Sequence, residues 1–199
     1  MFRRLITLAV AAALCAVLVP SALATRVHVR VEGKTTTIFG AAEPTLTVAA
    51  SALDALDAAS LRGEFYYHVK PLSFGPYVDQ IGRYLAEGAN GWGYKVNGVA
   101  VPKSSDKATL KDGDTVLWYW ATFGQQGGSP TLLLKRGAKR NCYAAFSQDD
   151  LGKTTPAAGA TLLVGARRVA TRSGRACVGR HSGLVRATAP NAMRSNALR

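Results

Sequence analysis

The residues of this sequence whose types and spacing favour chemistry are aromatic. Trp and Tyr concentrate between residues 66 and 120, in segments that alternate as β-strands do. Alternation puts Trp118 and Trp120 on one face of a strand and Tyr119 on the other, so one core face cannot bury them all. The surplus predicts a platform for a planar or sugar-like ligand, or a surface on which another part of the chain docks; ordinary core packing is the alternative. The predicted ligand-binding residues are Tyr66, Trp92, Tyr94, Trp118, Tyr119 and Trp120.

Catalytic side chains do not form a recognisable pattern. The three histidines, His28, His68 and His181, lie outside the sequence contexts of known nucleophiles, so no nucleophile–base–acid triad is predicted. Residues of the metal-ligand types do not cluster, and the Asp-Gly-Asp of residues 112–114 is typical of a tight turn, without the further oxygen ligands of a calcium loop. We therefore predict a protein that is not an enzyme and has no cofactor and no metal.

Charge is distributed unevenly along the chain. The sequence has a net charge of +13, yet residues 25–134 hold ten basic and ten acidic side chains. Residues 135–199 hold 13 basic residues against two acids, which predicts an anionic cell-envelope polymer as a partner; a generic solvated surface is the alternative. Interleaved aromatic residues are missing there, so nucleic acid is not predicted as a partner. The predicted polymer contacts are Arg167, Arg168, Arg172 and Arg175.

The first 24 residues have the composition of a cleavable signal peptide. Arg3 and Arg4 precede an apolar run over residues 5–19, and small residues lead to a cleavage site after Ala24. The run is shorter than the roughly 20 residues that span a bilayer, although a retained anchor is the alternative. No later segment is apolar enough to span a membrane, so the sequence predicts a secreted, extracellular or cell-surface protein.

The exported chain retains two cysteines, Cys142 and Cys177. In an oxidising compartment such a pair indicates one disulfide, with two reduced buried thiols as the alternative.

The fold class predicted from the hydrophobic patterns is α+β. Residues 26–32 alternate as a half-buried strand, and residues 47–59 have helical periodicity with Thr47 as the expected N-cap. Asn97-Gly98 is a strong hairpin signal, and residues 115–120 have high β-propensity. Together these patterns predict a β-grasp-like domain over residues 25–124, with one helix on a mixed sheet.

A second domain is predicted after a short linker. Residues 125–130 lack apolar side chains and contain glycine and proline, which is typical of a linker. Residues 131–199 contain short strand-like segments separated by turn residues, and no helical stretch. They predict a small, all-β antiparallel sandwich with one disulfide, in which residues 189–199 are either disordered or a last edge strand.

Two segments of the first domain together resemble the transcobalamin-like C-terminal domain family. They are Gly-Trp-Gly-Tyr-Lys-Val-Asn-Gly at residues 91–98 and Leu-Lys-Asp-Gly-Asp-Thr-Val-Leu-Trp at residues 110–118, and the resemblance extends over about residues 27–123. It implies ligand binding more than chemistry. In animal cobalamin carriers such a domain closes over the corrinoid while a separate helical domain holds the other face, and this sequence has no such helical domain.

The second domain shows a fainter similarity. Residues 153–161 and 174–176 resemble the carboxypeptidase-regulatory-like, Ig-like sandwiches, which are usually structural or adhesive. The sequence as a whole therefore predicts a secreted, non-catalytic binding or adhesion module at the cell envelope. The alternative is a carrier of a small, cobalamin-like ligand. Neither the ligand nor the oligomeric state follows from the sequence.

Overall fold

The computed structural model describes residues 24–125 and 127–199. The predicted signal peptide, apart from Ala24, lies outside the described residues, as does Gln126 of the predicted linker. In the described ranges, no helix is long and apolar enough to cross a membrane.

The N-terminal module combines one helix with nine strands. They are β1 (Thr25–Glu32), β2 (Thr37–Phe39), β3 (Thr45–Val48), α1 (Ala52–Gly63), β4 (Tyr67–Leu72), β5 (Gly75–Ile81), β6 (Tyr84–Leu85), β7 (Asn90–Val96), β8 (Val99–Ala100) and β9 (Thr115–Thr122). Six of the strands form a mixed sheet in the order β2-β1-β9-β7-β8, with β3 also paired to β1. The pairing of β1 with β9 is parallel, and the remaining pairs are antiparallel. Strands β4, β5 and β6 form a separate antiparallel sheet.

The core of this module lies between α1 and one face of the mixed sheet. Val27, Val29 and Val31 are fully buried on β1, as their alternation predicts, and they share a core with Leu56 of α1 and Trp118 of β9. The predicted Asn97-Gly98 hairpin is also present: both residues have positive φ, and Val96 pairs with Val99 across the turn. The α+β fold class is confirmed.

The predicted start of the helix is wrong by one turn or more. Thr47 belongs to β3, where it pairs with Arg26 of β1, and the helix begins only at Ala52. Ser51 is the actual N-cap: its Oγ accepts a hydrogen bond from the backbone N of Asp54 at 3.2 Å, and the Asp54 carboxylate accepts one from the backbone N of Ser51 at 2.8 Å. This reciprocal capping box fixes the helix start, because it satisfies amide groups that have no partner inside the helix.

The C-terminal module contains strands only. They are β10 (Thr131–Arg136), β11 (Cys142–Gln148), β12 (Thr154–Pro156), β13 (Thr161–Val164), β14 (Arg167–Ala170), β15 (Arg175–Cys177), β16 (Val185–Thr188) and β17 (Ala197–Leu198). One antiparallel sheet has the order β10-β11-β12, with β15 also paired to β11, and the other has the order β14-β13-β16-β17. Leu132, Leu134 and Ala145 of the first sheet share a core with Leu162 and Val185 of the second.

The sequence left two alternatives open for this module, one for its cysteines and one for its last residues. The disulfide between Cys142 and Cys177 is present, and it joins directly paired positions of β11 and β15. The end of the chain is an edge strand, because Ala197 and Leu198 of β17 pair with β16.

The two modules meet through a buried cluster of charge. Glu32, at the end of β1, is fully buried, and its carboxylate binds three guanidinium groups, those of Arg30, Arg186 and Arg194. The Arg194 Nε lies 3.0 Å from Glu32 Oε2, and Thr37 donates a further hydrogen bond at 3.0 Å. Arg186 and Arg194 belong to the C-terminal module, so these ion pairs cross between the modules.

A second buried contact lies beside the first. Lys95 of β7 is fully buried, with its Nζ 3.2 Å from the Asp150 carboxylate and 2.8 Å from the Asp149 carbonyl oxygen. Next to it, Leu117, Tyr119 and Ala121 of β9 form an apolar cluster with Met193. The face of β9 that points away from α1 is therefore covered by the C-terminal module.

We expect Glu32→Gln to lower the free energy of unfolding by about 3–5 kcal/mol, because it leaves the largely buried guanidinium groups of Arg186 and Arg194 without a counter-charge, whereas Arg30 keeps its ion pair with Glu43. Urea denaturation measures the effect. Glu64→Gln removes an exposed carboxylate at the C-terminal end of α1 and is the matched control, with an expected change of less than about 0.5 kcal/mol. Equal changes for the two variants would contradict this account of the interface.

The helix start gives a second test. Ser51→Ala should lower the free energy of unfolding by about 1 kcal/mol, because it removes the N-cap acceptor. Thr47→Val removes a hydroxyl but keeps the β-branched shape that a strand favours, so it should change stability little. If Thr47→Val were the more damaging substitution in thermal denaturation, the helix would begin where the sequence pattern alone placed it.

Candidate ligand-binding cleft

A cleft of about 460 Å³ opens on the N-terminal module between β5, β7 and the segment that follows β8. Its walls are largely aromatic and apolar, and its rim includes Lys103 and Ser104. Three of the six predicted ligand-binding residues, Trp92, Tyr94 and Trp118, line it together. The lining also includes Tyr77, with its phenolic hydroxyl, and the apolar residues Phe74, Pro76, Val78, Val101 and Pro102.

The register of the mixed sheet brings these rings together. Tyr94 of β7 is directly opposite Trp118 of β9, and their ring centroids are 5.2 Å apart at an interplanar angle of 32°. Trp92 is opposite Trp120 in the same way, with centroids 5.6 Å apart and an edge-to-face arrangement. Such cross-strand aromatic pairs stabilise a sheet and hold each ring in a fixed orientation.

The polar atoms of the Trp92, Tyr94 and Trp118 rings already have partners within the protein. Trp92 Nε1 donates to the Tyr84 carbonyl at 2.9 Å, and Trp118 Nε1 donates to the Ala52 carbonyl at 3.1 Å. The Tyr94 hydroxyl donates to the Lys103 carbonyl at 2.7 Å. Trp92 and Trp118 are only 5% and 2% exposed, so most of the ring surface that a ligand can touch belongs to the half-buried Tyr94 and Tyr77 and to the exposed Phe74.

Tyr94 keeps its proton over the whole ordinary pH range. Burial raises the pKa of its hydroxyl to about 12, and the negative charge of Asp106 contributes to the rise. The cleft wall therefore carries no phenolate charge, which suits an apolar ligand.

Ser105 adds a buried hydroxyl to the residues that line the cleft. The residue is only 4% exposed and lines the cleft. Among the described residues, its Oγ is the one buried side-chain nitrogen or oxygen without a hydrogen-bond partner. Its backbone carbonyl accepts from the amide of Leu53 at 3.1 Å, so the first turn of α1 fixes its position. Buried polar groups are rarely left unpaired, so an orphan hydroxyl on a residue that lines a cavity is a candidate partner for a ligand group or a water.

Sequence reasoning missed Ser105 as a site residue. The Ser104-Ser105-Asp106 segment gives no signal that separates its two hydroxyls, yet Ser104 Oγ donates to the Asp106 carboxylate while Ser105 Oγ has no partner. Phe74 was also missed. It is 64% exposed and lies on the cleft rim in the turn between β4 and β5.

The other three predicted ligand-binding residues lie outside the cleft lining. Trp120 is half-buried and packs against Trp92 and Tyr84. Tyr119 is 1% exposed on the opposite face of β9, where its hydroxyl donates to the Asp150 carboxylate at 3.2 Å in the interface between the modules. Tyr66, just before β4, is 60% exposed. The structure thus divides the predicted set among a cleft, the core edge, an interface and the open surface.

The histidines have structural hydrogen-bond partners. His68 Nδ1 lies 2.6 Å from the carboxylate of Asp79, a buried residue that also binds Lys70 at 2.9 Å. His28 contacts the Glu43 carbonyl, and His181 contacts the Tyr143 hydroxyl. Within the described residues, no three His, Cys, Asp or Glu side chains are grouped so as to hold a metal ion.

The four arginines predicted to contact an anionic polymer are all exposed. Arg167 and Arg168 are neighbours on β14 and so point to opposite faces of their sheet, and the Arg167 guanidinium donates to the Val178 carbonyl. Arg172 and Arg175 pair with each other across the tight turn that leads into β15.

Comparison with known families supports the resemblance of the N-terminal module. The family model described as "Domain of unknown function (DUF4430)" matches residues 49–122, and this family is a transcobalamin-like domain family. The matched range contains α1 and every lining residue of the cleft. No curated protein matches the chain. The similarity of the C-terminal module to the Ig-like sandwiches stays a prediction.

We expect Ser105→Ala to raise the free energy of unfolding of the ligand-free protein by about 1 kcal/mol, because it removes a buried hydroxyl without a partner. Ser104→Ala is the matched control on the adjacent residue, and it should lower stability because it leaves the Asp106 carboxylate without its donor. Urea denaturation of both variants measures the difference. A loss of stability in Ser105→Ala would mean that this hydroxyl is satisfied in the free protein.

Proposed function

We propose that this protein is a non-catalytic binding protein whose N-terminal module holds a small, flat, largely apolar ligand in the cleft. The observation that carries the proposal is Ser105 Oγ, a buried hydroxyl without a partner on a residue that lines the cleft together with Trp92, Tyr94 and Trp118. The ligand would lie against the rings and exchange one hydrogen bond with Ser105. The transcobalamin-like family match over the same residues supports a binding role.

The size of the cleft limits the ligand. About 460 Å³ lies within the range of roughly 300–1,000 Å³ that is usual for small-molecule sites. A corrinoid is larger than the cleft, so only one edge or side group of the molecule would enter. Cobalamin is the second candidate because of the family match, and α1 is the one helix in the described part of the chain, so the other face of a corrinoid would stay uncovered.

The proposal places the protein outside the cell, secreted or attached to the cell surface. The signal-peptide composition of residues 1–24 and the Cys142–Cys177 disulfide both support an exported protein. In that setting the basic C-terminal module would attach the protein to anionic envelope polymers, with Arg167, Arg168, Arg172 and Arg175 as exposed contacts.

The cleft is tested by titrating the full chain with two probes, riboflavin as a flat heterocycle and cyanocobalamin as the corrinoid. Binding is followed by calorimetry and by Trp fluorescence, since Trp92 and Trp118 line the cleft. For a probe that binds, Ser105→Ala should weaken the affinity roughly threefold to tenfold, the effect of one hydrogen bond. Val101→Phe places a larger side chain in the cleft wall and should weaken binding by steric hindrance.

Tyr66→Ala is the matched control, because it removes an exposed aromatic ring outside the cleft lining and should leave the affinity unchanged. Binding of cyanocobalamin alone would favour the carrier function. If neither probe binds, or if Tyr66→Ala weakens binding as much as Ser105→Ala does, the cleft proposal is wrong.

A further inference from the structure

The C-terminal module carries a groove on the outer face of its first sheet. Lys135 of β10 pairs with Ala144 of β11, and Ala144 pairs with Arg175 of β15. Residues paired directly across antiparallel strands point to the same face, so the two cations stand on either side of a small alanine, roughly 10 Å apart across two strand spacings. The groove between them has a volume of about 560 Å³.

The floor of this groove is apolar. The Cys142–Cys177 disulfide lies one step along the strands from the Lys135–Ala144–Arg175 row, and Phe146 lies one step in the other direction. All of these residues line the groove. Lys135 Nζ is 5.5 Å from the centroid of the half-buried Phe146 ring. The surface therefore combines a flat aromatic patch with positive charges above it.

No carboxylate side chain of the described residues lines this groove. The two acids of the module, Asp149 and Asp150, are engaged elsewhere: Asp150 binds Lys95, and Asp149 accepts from the amides of Leu151 and Lys153. Neither Lys135 nor Arg175 has an acidic partner among the ion pairs of the described residues. The positive charge at this face is thus uncompensated by the protein itself.

The positive surface continues beyond the groove. A second hollow of about 400 Å³ shares the 136–139 turn and residues 142–143 with it, and is lined by Arg136, Lys139, Arg140 and His181. Two adjoining basic hollows form an elongated track, which fits a polymer with repeated anionic groups better than a single small anion.

We propose that the groove between Lys135 and Arg175 binds an acidic polysaccharide. Carboxylate, sulfate or phosphate groups on the sugars would contact the two cations, while the apolar face of a sugar ring would pack on Phe146. The groove lies in the other module from the aromatic cleft, so this site deepens the envelope-attachment part of the proposed function and does not depend on a ligand in the cleft.

The experiment measures binding of the full chain to immobilised alginate, a polymer of uronic acids, with neutral dextran as the polymer control. The double variant Lys135→Ala/Arg175→Ala should weaken alginate binding about tenfold, since an exposed ion pair contributes little individually and the two act together. Arg62→Ala/Lys107→Ala removes the same charge from exposed positions of the N-terminal module and should change the affinity less than about twofold. Equal losses of alginate affinity in the two double variants, or no binding to alginate, would contradict the proposal that the groove binds an acidic polysaccharide.

Phe146→Ala distinguishes sugar from phosphate chemistry. It should weaken binding to alginate while leaving binding to inorganic polyphosphate, which has no apolar ring face, unchanged. If polyphosphate binds more tightly than alginate and Phe146→Ala affects neither, the ligand is a phosphate chain and the polysaccharide proposal fails. Near-UV circular dichroism of each variant verifies its fold.

The two proposals can fail independently. If the protein binds alginate but neither riboflavin nor cyanocobalamin, the polysaccharide proposal is supported and only the proposal of a ligand in the aromatic cleft is wrong.

Discussion

A carboxylate that is buried away from water needs compensating positive charge. The contact between the two modules depends on the ion pairs that provide this charge for Glu32. Its side chain is fully buried at the end of β1, and the compensating cations come from Arg30 beside it and from Arg186 and Arg194 more than 150 positions later. Arg194 also donates to the carbonyls of Gly33 and Lys34. The first strand and the last strands of the described chain are therefore bound to one another at a single carboxylate.

This contact determines which aromatic surface stays open. With the modules joined there, Tyr119 and its neighbours on β9 are covered by the C-terminal module, and Trp118 on the other face packs beneath α1. The aromatic residues that stay accessible at the cleft are Phe74, Tyr77 and Tyr94, whereas Trp92 and Trp118 line it from the buried core. Some of the many aromatic residues of the sequence thus lie in the interface between the modules, and others line the cleft.

Sequence patterns predict the parts of this structure that depend on neighbours along the chain. The alternating valines of β1 and the Asn97-Gly98 turn follow from local rules, and the disulfide follows from the two cysteines that remain after the predicted signal peptide. Thr47 misled the helix prediction because pairing with β1 outweighed its capping propensity. Hydrophobic patterns along the chain cannot predict contacts between segments that are distant in sequence. Such contacts determine that the Ser105 hydroxyl has no partner and that Lys135, Ala144 and Arg175 lie in one row.

The buried Glu32 cluster also constrains how such a protein can evolve. Recombination that exchanged the second module for an unrelated domain would remove Arg186 and Arg194 together with the cover over Tyr119, and it would leave Glu32 with Arg30 as its remaining cation. A viable exchange needs simultaneous replacement of that glutamate and of the exposed apolar face of β9. The two modules are therefore expected to be inherited as a unit, with change concentrated in the cleft rim and in the outer groove, where single substitutions leave the shared carboxylate undisturbed.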